Sequence, residues 1–340
     1  MIIRLNNTKR NSLGKRILTL IIVAVAMYVL TCFGAIVGKY INTLIQIDTA
    51  RTVELGLSRY DALEQKGVII EHSIYSQQEV LDNPDLSVVK LYYYPSDTGD
   101  RTNYAIILPG GGYYACNAKP AGLPTAATVN MLGYSAFVLE YRYGKYCSKY
   151  APLDDLARAI QYITEHADTL NVLPDDYTII GFSAGGNLAG LFAGEQLGYA
   201  HYGLNKPASI SLVYPWININ SHSKLTGNVF LDILSIVSPY VGNNYLLGRG
   251  ATAEEKQAIC VQNHVDSNYP PTYIIHGDSD IIVPHLSNSS VMDTALDQHG
   301  VRHQYVIAKG LNHGFRLGTG SSVGNWILHA VAFWQAQLVH

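Results

Sequence analysis

The feature that most constrains the fold is an apolar run that ends in a serine flanked by glycines. Residues Thr178–Phe182 are typical of a buried strand, and Gly181-Phe182-Ser183-Ala184-Gly185 leads directly into a helical segment. A serine at so sharp a turn needs strained backbone angles, and small residues two positions before and after it let strand and helix approach. The pentapeptide alone is weak evidence, and an ordinary glycine-rich turn is the alternative, but its strand–turn–helix context favours an exposed hydroxyl beside a helix N-terminus.

Short apolar runs alternate with helical stretches on both sides of this turn. The predicted strands are Val88–Tyr94, Tyr104–Leu108, Ser135–Tyr141, Tyr177–Phe182, Ser209–Tyr214, Thr272–His276 and His303–Ile307. The predicted helices are Thr125–Met131, Leu153–Ala167, Gly186–Leu197, Ser287–His299 and Val323–Leu338. This alternation predicts an α/β fold with a mostly parallel central sheet and helices on both faces. Residues 216–268 break the alternation, and we expect an inserted cap there or, alternatively, a dimerisation surface.

Composition excludes several classes of protein. The 340 residues carry a net charge of −3, only 14% are charged and 48% are hydrophobic. The net charge therefore excludes a nucleic-acid-binding protein with a strongly basic surface. The hydrophobic content excludes a disordered chain. Cys32, Cys116, Cys147 and Cys260 lack the spacing of a zinc site, so no metal is expected. Two alternatives stay open for the cysteines: one disulfide, for example Cys116–Cys147, or free buried thiols.

The N-terminal region predicts a membrane anchor. Residues 1–16 contain five basic residues and no acidic residue, and residues 17–38 are uncharged over 22 positions, long enough for a membrane-spanning helix. The basic tail then remains in the cytoplasm and the rest of the chain lies outside it. A cleaved signal followed by secretion is the alternative. We accordingly divide the chain into tail 1–16, anchor 17–38, linker or extension 39–85, and catalytic domain 86–340 with the insertion at 216–268.

A serine nucleophile needs a base, and the base needs an orienting carboxylate. Enzymes with a nucleophile at such a turn carry these groups in the chain order Ser, acid, His. Asp280 follows a strand end and a glycine turn, whereas Asp278 lies in the turn itself and is better placed to cap it, so Asp280 is preferred. His313 lies in a late loop between Gly310 and Gly314. The predicted triad is Ser183, Asp280 and His313.

The other histidines fit the role of the base less well. His276 ends a strand close to the acid, and a core or supporting role is expected for it. His264 precedes the acid in the chain, and His299 and His303 flank a helix–strand turn.

A developing oxyanion needs backbone donors. One is the N–H of Ala184, the residue after the nucleophile, and the others are expected from the loop Pro109-Gly110-Gly111-Gly112, specifically Gly111 and Gly112. Alone, three glycines are more often a flexible turn. The aromatic residues Tyr113, Tyr114 and Trp216 are candidates for substrate binding, with core packing as the alternative.

Several motifs together resemble one family. They are Pro109-Gly110-Gly111-Gly112-Tyr113, the strand segment Gly133–Arg142, the helix segment Asp155–Ile160, the serine turn Gly181–Gly186, the acid segment Gly277–Pro284 and His313-Gly314-Phe315. In this combination the chain from about Tyr92 to Leu338 resembles an α/β-hydrolase of the acetyl-xylan-esterase and feruloyl-esterase-like branch. The resemblance implies a serine esterase acting on carboxylic esters, often acetyl esters of plant polysaccharides or sugars, without a cofactor.

The sequence-based hypothesis is thus a membrane-anchored serine esterase for small-molecule or carbohydrate esters. Two alternatives stay open. One is a peptidase of the prolyl-oligopeptidase type, although the region before the first core strands is too short for a propeller domain. The other is a catalytically silent homologue that binds ligands in the same pocket.

Overall fold

Buried apolar runs form one mixed sheet in the computed structural model, which describes residues 58, 61–221 and 242–338. Its strands are β1 (Ile70–His72), β2 (Lys90–Tyr94), β3 (Tyr104–Leu108), β4 (Ser135–Glu140), β5 (Thr178–Phe182), β6 (Ser209–Val213), β7 (Thr272–Gly277) and β8 (His303–Ala308). Their spatial order is β1-β2-β4-β3-β5-β6-β7-β8. Strand β2 runs antiparallel to both of its neighbours, and the remaining pairs are parallel. The carboxyl ends of β3 to β8 therefore lie along one edge.

The helices connect these strands. They are α1 (Gln77–Asp82), α2 (Leu123–Met131), α3 (Ala151–Glu165), α4 (Ala184–Ala193), α5 (Ala253–Gln257), α6 (Ser289–Gln298) and α7 (Trp326–Leu338). In α3 the buried residues Leu153, Leu156, Ile160 and Ile163 recur at three- and four-residue intervals, which places them on one face of the helix.

Side-chain alternation along the strands divides the core into two layers. In β3, Ile106 and Leu108 join the cluster that contains Leu156 of α3 and Leu188 of α4. Ala105 and Ile107 point to the opposite face and join the cluster that contains Val129 of α2 and Trp326 of α7. Because successive side chains of a strand point to opposite faces, one sheet supports helices on both sides. This is the architecture predicted from the alternation of apolar runs.

A buried ion pair joins the end of β4 to α3. The Arg142 guanidinium and backbone N–H contact the carboxylate of Asp155 at 2.8–3.0 Å. The Tyr75 hydroxyl donates to the same carboxylate at 2.7 Å. Asp155 is completely buried, so these donors replace the water that it loses on folding.

Some sequence-based boundaries fall differently in the structure. Strand β1 and helix α1 lie within residues 39–85, so the sheet begins inside the region described as a linker or extension. The insertion is described at 216–221 and 242–268, where it includes α5, while residues 222–241 lie outside the described residues. Cys116, Cys147 and Cys260 are free thiols, so the Cys116–Cys147 disulfide considered above is not formed.

The predicted anchor at 17–38 also lies outside the described residues. Within the part of the chain that the structure describes, every helix is too short or too polar to span a bilayer.

Candidate active site

The backbone at Ser183 is strained. Ser183 has φ 51° and ψ −113°, a conformation that side-chain-bearing residues rarely adopt. Its N–H donates to Val213 at the end of β6, and its carbonyl accepts from the N–H groups of Gly186 and Trp216, all at 3.0 Å. These bonds hold the turn between β5 and α4 in place and raise the hydroxyl above the sheet edge.

Two glycines let the strand and the helix approach at this turn. A Cβ added at Gly181 would lie 2.3 Å from the carbonyl oxygen of Gly185. A Cβ added at Gly185 would lie 2.2 Å from the carbonyl oxygen of Leu108 and 2.5 Å from that of Pro109. Both distances are far below contact, so the turn accepts only glycine at positions two before and two after the serine.

The structure brings the three predicted catalytic side chains together. Ser183 Oγ lies 2.9 Å from His313 Nε2, and His313 Nδ1 lies 2.6 Å from Asp280 Oδ2. The two loops that carry the acid and the base meet closely, because a Cβ at Gly277 would lie 2.1 Å from the Leu311 carbonyl oxygen. The hydrogen bonds connect nucleophile, base and carboxylate in one chain, the arrangement of a serine triad.

Asp280 is a buried carboxylate surrounded by donors. Its Oδ1 accepts the backbone N–H groups of Ile282 and Val283 at 3.0 and 2.8 Å. Burial would raise the pKa of Asp280, but the charge of His313 and the hydrogen bonds from His276 and His313 outweigh it and hold that pKa well below its usual range. The Asp280 carboxylate is therefore ionised in the folded protein.

Asp278 connects the loop after β7 to the loop after β8 instead. Its Oδ1 accepts the backbone N–H of Gly310 at 2.7 Å, and the residue is exposed. Asp280 rather than Asp278 therefore contacts His313, whereas the expectation that Asp278 caps its own turn is replaced by a bond to another loop.

His276 is a second histidine on the carboxylate of the triad. It is completely buried, and its Nε2 lies 3.0 Å from Asp280 Oδ2 and 2.8 Å from the Val283 carbonyl oxygen. Its Nδ1 lies 2.6 Å from Ser289 Oγ. Burial lowers the pKa of His276, more than its bond to Asp280 raises it. The imidazole is accordingly neutral in the folded protein near neutral pH.

The glycine loop after β3 lies against the nucleophile. A Cβ at Gly110 would come within 3.0 Å of Ser183 Cβ. Gly111 and Gly112 have φ values of 138° and 59°, which glycine adopts without strain. Among the backbone hydrogen bonds of the described residues, the N–H groups of Gly111, Gly112 and Ala184 donate none.

The three aromatic candidates have different environments. Tyr114 is 52% exposed, with its ring centroid 6.4 Å from that of Tyr245. Trp216 is buried, and its ring lies close to Gly242. A Cβ added at Gly242 would be only 2.7 Å from that ring. Its indole Nε1 has no hydrogen-bond partner among the described residues.

Tyr113 requires a correction. It is 1% exposed, and its hydroxyl donates to Asn187 Oδ1 of α4 at 2.8 Å, while the Asn187 amide donates to the Ile259 carbonyl at 3.0 Å. Its side chain is thus an internal connection between the glycine loop and α4, and the expectation that it lines a substrate pocket is wrong. The physical reason is that its hydroxyl has its acceptor inside the protein, on Asn187.

Sequence reasoning missed two supporting residues. One is Asn187, one helical turn after Ser183, whose polar side chain in an otherwise small and apolar helix start was the available signal. The other is Tyr214, whose ring contacts the His313 ring edge-to-face at a centroid distance of 5.0 Å. Nothing in the order of residues along the chain connects Tyr214 with His313.

One cluster among the described residues has potential metal ligands. Asp293 and Asp297 of α6 and His303 of β8 place ligand atoms within 4.8 Å of one another. His303 Nε2 lies 3.1 Å from an Asp293 carboxylate oxygen, a hydrogen bond that needs no ion. None of the three residues belongs to the triad.

Comparison with known proteins gives a family match and several relatives. The BD-FAE family model matches residues 91–296. The chain is 26% identical over 250 residues to endo-1,4-β-xylanase B of Butyrivibrio fibrisolvens, covering 70% of this chain and 36% of that protein. It is 27% identical over 231 residues to an acetylxylan esterase of Xylanibacter ruminicola, covering 65% and 44%. The chain thus spans less than half the length of these two curated relatives.

For one solved structure the match covers nearly the whole of the other protein. The acetyl ester-xyloside bifunctional hydrolase of Caldicellulosiruptor lactoaceticus is 26% identical, with a TM-score of 0.66, and the match covers 78% of this chain and 96% of that one. An esterase of Pyrobaculum calidifontis is only 17% identical but has the same TM-score of 0.66, which shows the likeness of the fold.

Proposed function

The chain belongs to the BD-FAE family, whose model matches residues 91–296, and we propose that it is a serine-dependent carboxylic ester hydrolase. The fold is that of the α/β hydrolases, and the resemblance to the acetyl-xylan-esterase and feruloyl-esterase-like branch is confirmed. The observation that carries the proposal is the hydrogen-bonded chain from Ser183 through His313 to Asp280. Its three groups have the identities, order and distances that acyl transfer needs.

In the proposed mechanism Ser183 Oγ attacks the ester carbonyl carbon. His313 Nε2, 2.9 Å away, accepts the hydroxyl proton and returns it to the departing alcohol. Water then attacks the acyl carbon and loses a proton to the same nitrogen, and His313 passes that proton to Ser183 Oγ as the acid leaves. Asp280 Oδ2 accepts the Nδ1–H of His313 throughout, which fixes the tautomer and stabilises the imidazolium while it exists.

The oxyanion of the tetrahedral intermediate is bound by backbone donors. Gly111, Gly112 and Ala184 have N–H groups that donate to no backbone acceptor among the described residues. A Cβ at Gly110 would lie 3.0 Å from Ser183 Cβ, and this closeness supports a position of the loop beside the reacting carbonyl. Removing one such donor typically costs about 3–4 kcal/mol of transition-state stabilisation.

The substrate class we propose is small acyl esters, acetyl esters above all, with carbohydrate as one form of the alcohol. The names of two relatives support this, since one is an acetylxylan esterase and the other an acetyl ester-xyloside hydrolase. The exposed pair Tyr114 and Tyr245 presents aromatic surface for an alcohol group. Trp216 is proposed as a wall of the same site.

The test is hydrolysis of p-nitrophenyl acetate, butyrate and octanoate by the full chain in detergent. We expect the acetate to be cleaved fastest. Ser183→Ala should lower kcat/KM by at least about 1,000-fold, the usual scale for loss of a triad member. Ser290→Ala, on the first turn of α6, is the matched control and should retain activity.

Two other results would redirect the assignment. Cleavage of proline-containing peptide p-nitroanilides without ester hydrolysis would favour the peptidase alternative. Inertness toward all of these substrates and toward fluorophosphonate labelling of Ser183, in a folded protein, would favour a silent ligand-binding homologue.

We also propose that residues 17–38 anchor the catalytic domain on the extracytoplasmic side of a membrane. The support is the uncharged stretch of 22 residues behind a basic tail. Resistance of the protein to alkaline carbonate extraction tests the anchor. A shortened chain recovered from the medium would instead favour cleavage and secretion.

A further inference from the structure

We infer that His276 is a positioning residue of the triad: it donates Nε2–H to Asp280, and the Ser289 hydroxyl holds it in the only tautomer that can donate. This inference rests on the proposed function, because it concerns how Asp280 and His313 work together. It extends the triad Ser183–His313–Asp280 by two further side chains, His276 and Ser289. Neither of these touches the substrate.

The surroundings of the imidazole determine its tautomer. Nε2 faces two acceptors, Asp280 Oδ2 at 3.0 Å and the Val283 carbonyl oxygen at 2.8 Å. Two acceptors at one nitrogen favour the tautomer that carries the proton there. Since the buried ring is neutral, Nδ1 then has only a lone pair, and the Ser289 hydroxyl at 2.6 Å donates to it. Without this hydroxyl the opposite tautomer would be accessible, and it would aim a lone pair at the carboxylate.

The donor matters because Asp280 has no solvent. Its side chain is completely buried, so protein groups alone stabilise its charge. Oδ1 receives two backbone N–H groups, and Oδ2 receives His313 Nδ1 and His276 Nε2. Removing His276 leaves Oδ2 dependent on His313 alone. The carboxylate then binds the imidazolium form of His313 more tightly, and the base is protonated over a wider range of pH.

The other groups near this pair are also defined. The His285 ring lies 6.3 Å from that of His276. The Tyr214 ring lies 5.0 Å from that of His313. Burial raises the pKa of Tyr214, and Arg316 on the loop after β8 opposes that rise. Tyr214 is therefore neutral in the working range of pH. The changes described below are assigned to His276 because the variants leave His285, Tyr214 and Arg316 in place.

The experiment is the pH profile of kcat/KM for p-nitrophenyl acetate with His276→Leu and His276→Gln. Loss of a hydrogen bond to a charged group should move the acid limb of the profile upward by about one pH unit in the Leu variant. On that limb kcat/KM should accordingly fall about tenfold. The amide nitrogen of Gln stands near the position of Nε2 and can donate, so His276→Gln should lie within about 0.3 unit of the wild type.

A double-mutant cycle separates this role from a purely structural one. Ser289→Ala should shift the limb upward in the wild-type background and should add nothing in the His276→Leu background, because Ser289 acts only through His276. Ser290→Ala, on the same helix turn but hydrogen-bonded to Tyr305, is the matched control. Ser289→Ala also keeps the test usable if His276→Leu does not fold.

The outcomes separate the two proposals. If the wild type hydrolyses the ester and the His276→Leu and Ser289→Ala variants have the same acid limb as the wild type, this inference is overturned and the esterase assignment stays intact. Equal shifts in the Leu and Gln variants, or additive effects of Ser289→Ala, would also overturn it. If the wild type hydrolyses no ester, the same profiles are measured as the rate of fluorophosphonate labelling at Ser183, which needs an activated nucleophile but no natural substrate.

Discussion

Replacing Gly185 with alanine sets two physical effects against each other. Gly185 lies in the first turn of α4, where alanine is intrinsically more favourable than glycine by about 0.5–1 kcal/mol. A new Cβ would, however, lie 2.2 Å from the Leu108 carbonyl oxygen and 2.5 Å from that of Pro109. Helix propensity predicts a more stable protein, whereas the tertiary contact predicts a damaged one.

The distances decide which effect is larger. An ordinary contact at a Cβ lies at 3.4–4 Å, so either α4 or the end of β3 must move by about 1 Å. Overpacking of this kind costs roughly 1–3 kcal/mol, which exceeds the propensity gain. The displaced carbonyls belong to the residues just before Gly110, where an added Cβ would lie only 3.0 Å from Ser183 Cβ. A displacement of about 1 Å between nucleophile and oxyanion donors can lower turnover about 100-fold.

The assay combines thermal unfolding with p-nitrophenyl acetate kinetics. We expect Gly185→Ala to lower both Tm and kcat. Gly203→Ala is the control: Gly203 has φ 67° and open space around it, so the change should cost about 1–2 kcal/mol of stability and leave kcat unchanged. A Gly185→Ala protein that is as stable as the wild type and retains more than half of its kcat would refute the reasoning.

Three further predictions concern buried groups. Tyr113→Phe leaves the Asn187 Oδ1 without its donor, so we expect a loss of about 1–3 kcal/mol in thermal unfolding and a lower kcat with little change in KM. Asp155→Asn removes the buried carboxylate of Arg142 and leaves it only the more distant, exposed Asp154 at 3.8 Å, so it should cost about 3 kcal/mol in urea unfolding; recovery of part of that loss by adding Arg142→Met would identify the charge as the cause. Burial lowers the pKa of His276 below its ordinary value of 6.5. Above pH 6.5 the imidazole is neutral in both the folded and the unfolded chain, and its contribution to stability is fully present. Below pH 6.5 the unfolded chain takes up the proton first, so the free energy of unfolding falls by up to about 1.4 kcal/mol per pH unit. His276→Gln should flatten that slope when Tm is measured at several values between about pH 7.5 and 5.5, and an unchanged slope would contradict the role of burial.

The sequence determined the fold class and the three side chains that we propose as catalytic, because their signals are local. The strand and turn around Ser183 carry their steric requirement in five consecutive residues, and the contacts of Gly181 and Gly185 have the form that this requirement demands. The choice of Asp280 over Asp278 also followed from local turn chemistry, and the structure places Asp280 against His313. The apolar runs likewise predicted the parallel strands, because a strand that is buried on both faces is apolar at nearly every position.

Contacts between distant segments could not be predicted in this way. Strand β1 is only three residues long, and it is held by pairing with β2 rather than by its own pattern. The inward orientation of Tyr113 depends on Asn187, 74 positions later. The bond between His276 and Asp280 needed the loop after β7 to fold back on its own strand. A residue's type and neighbours specify what it can do, but burial and the partners supplied by other segments decide what it does, and those exist only after the chain has packed.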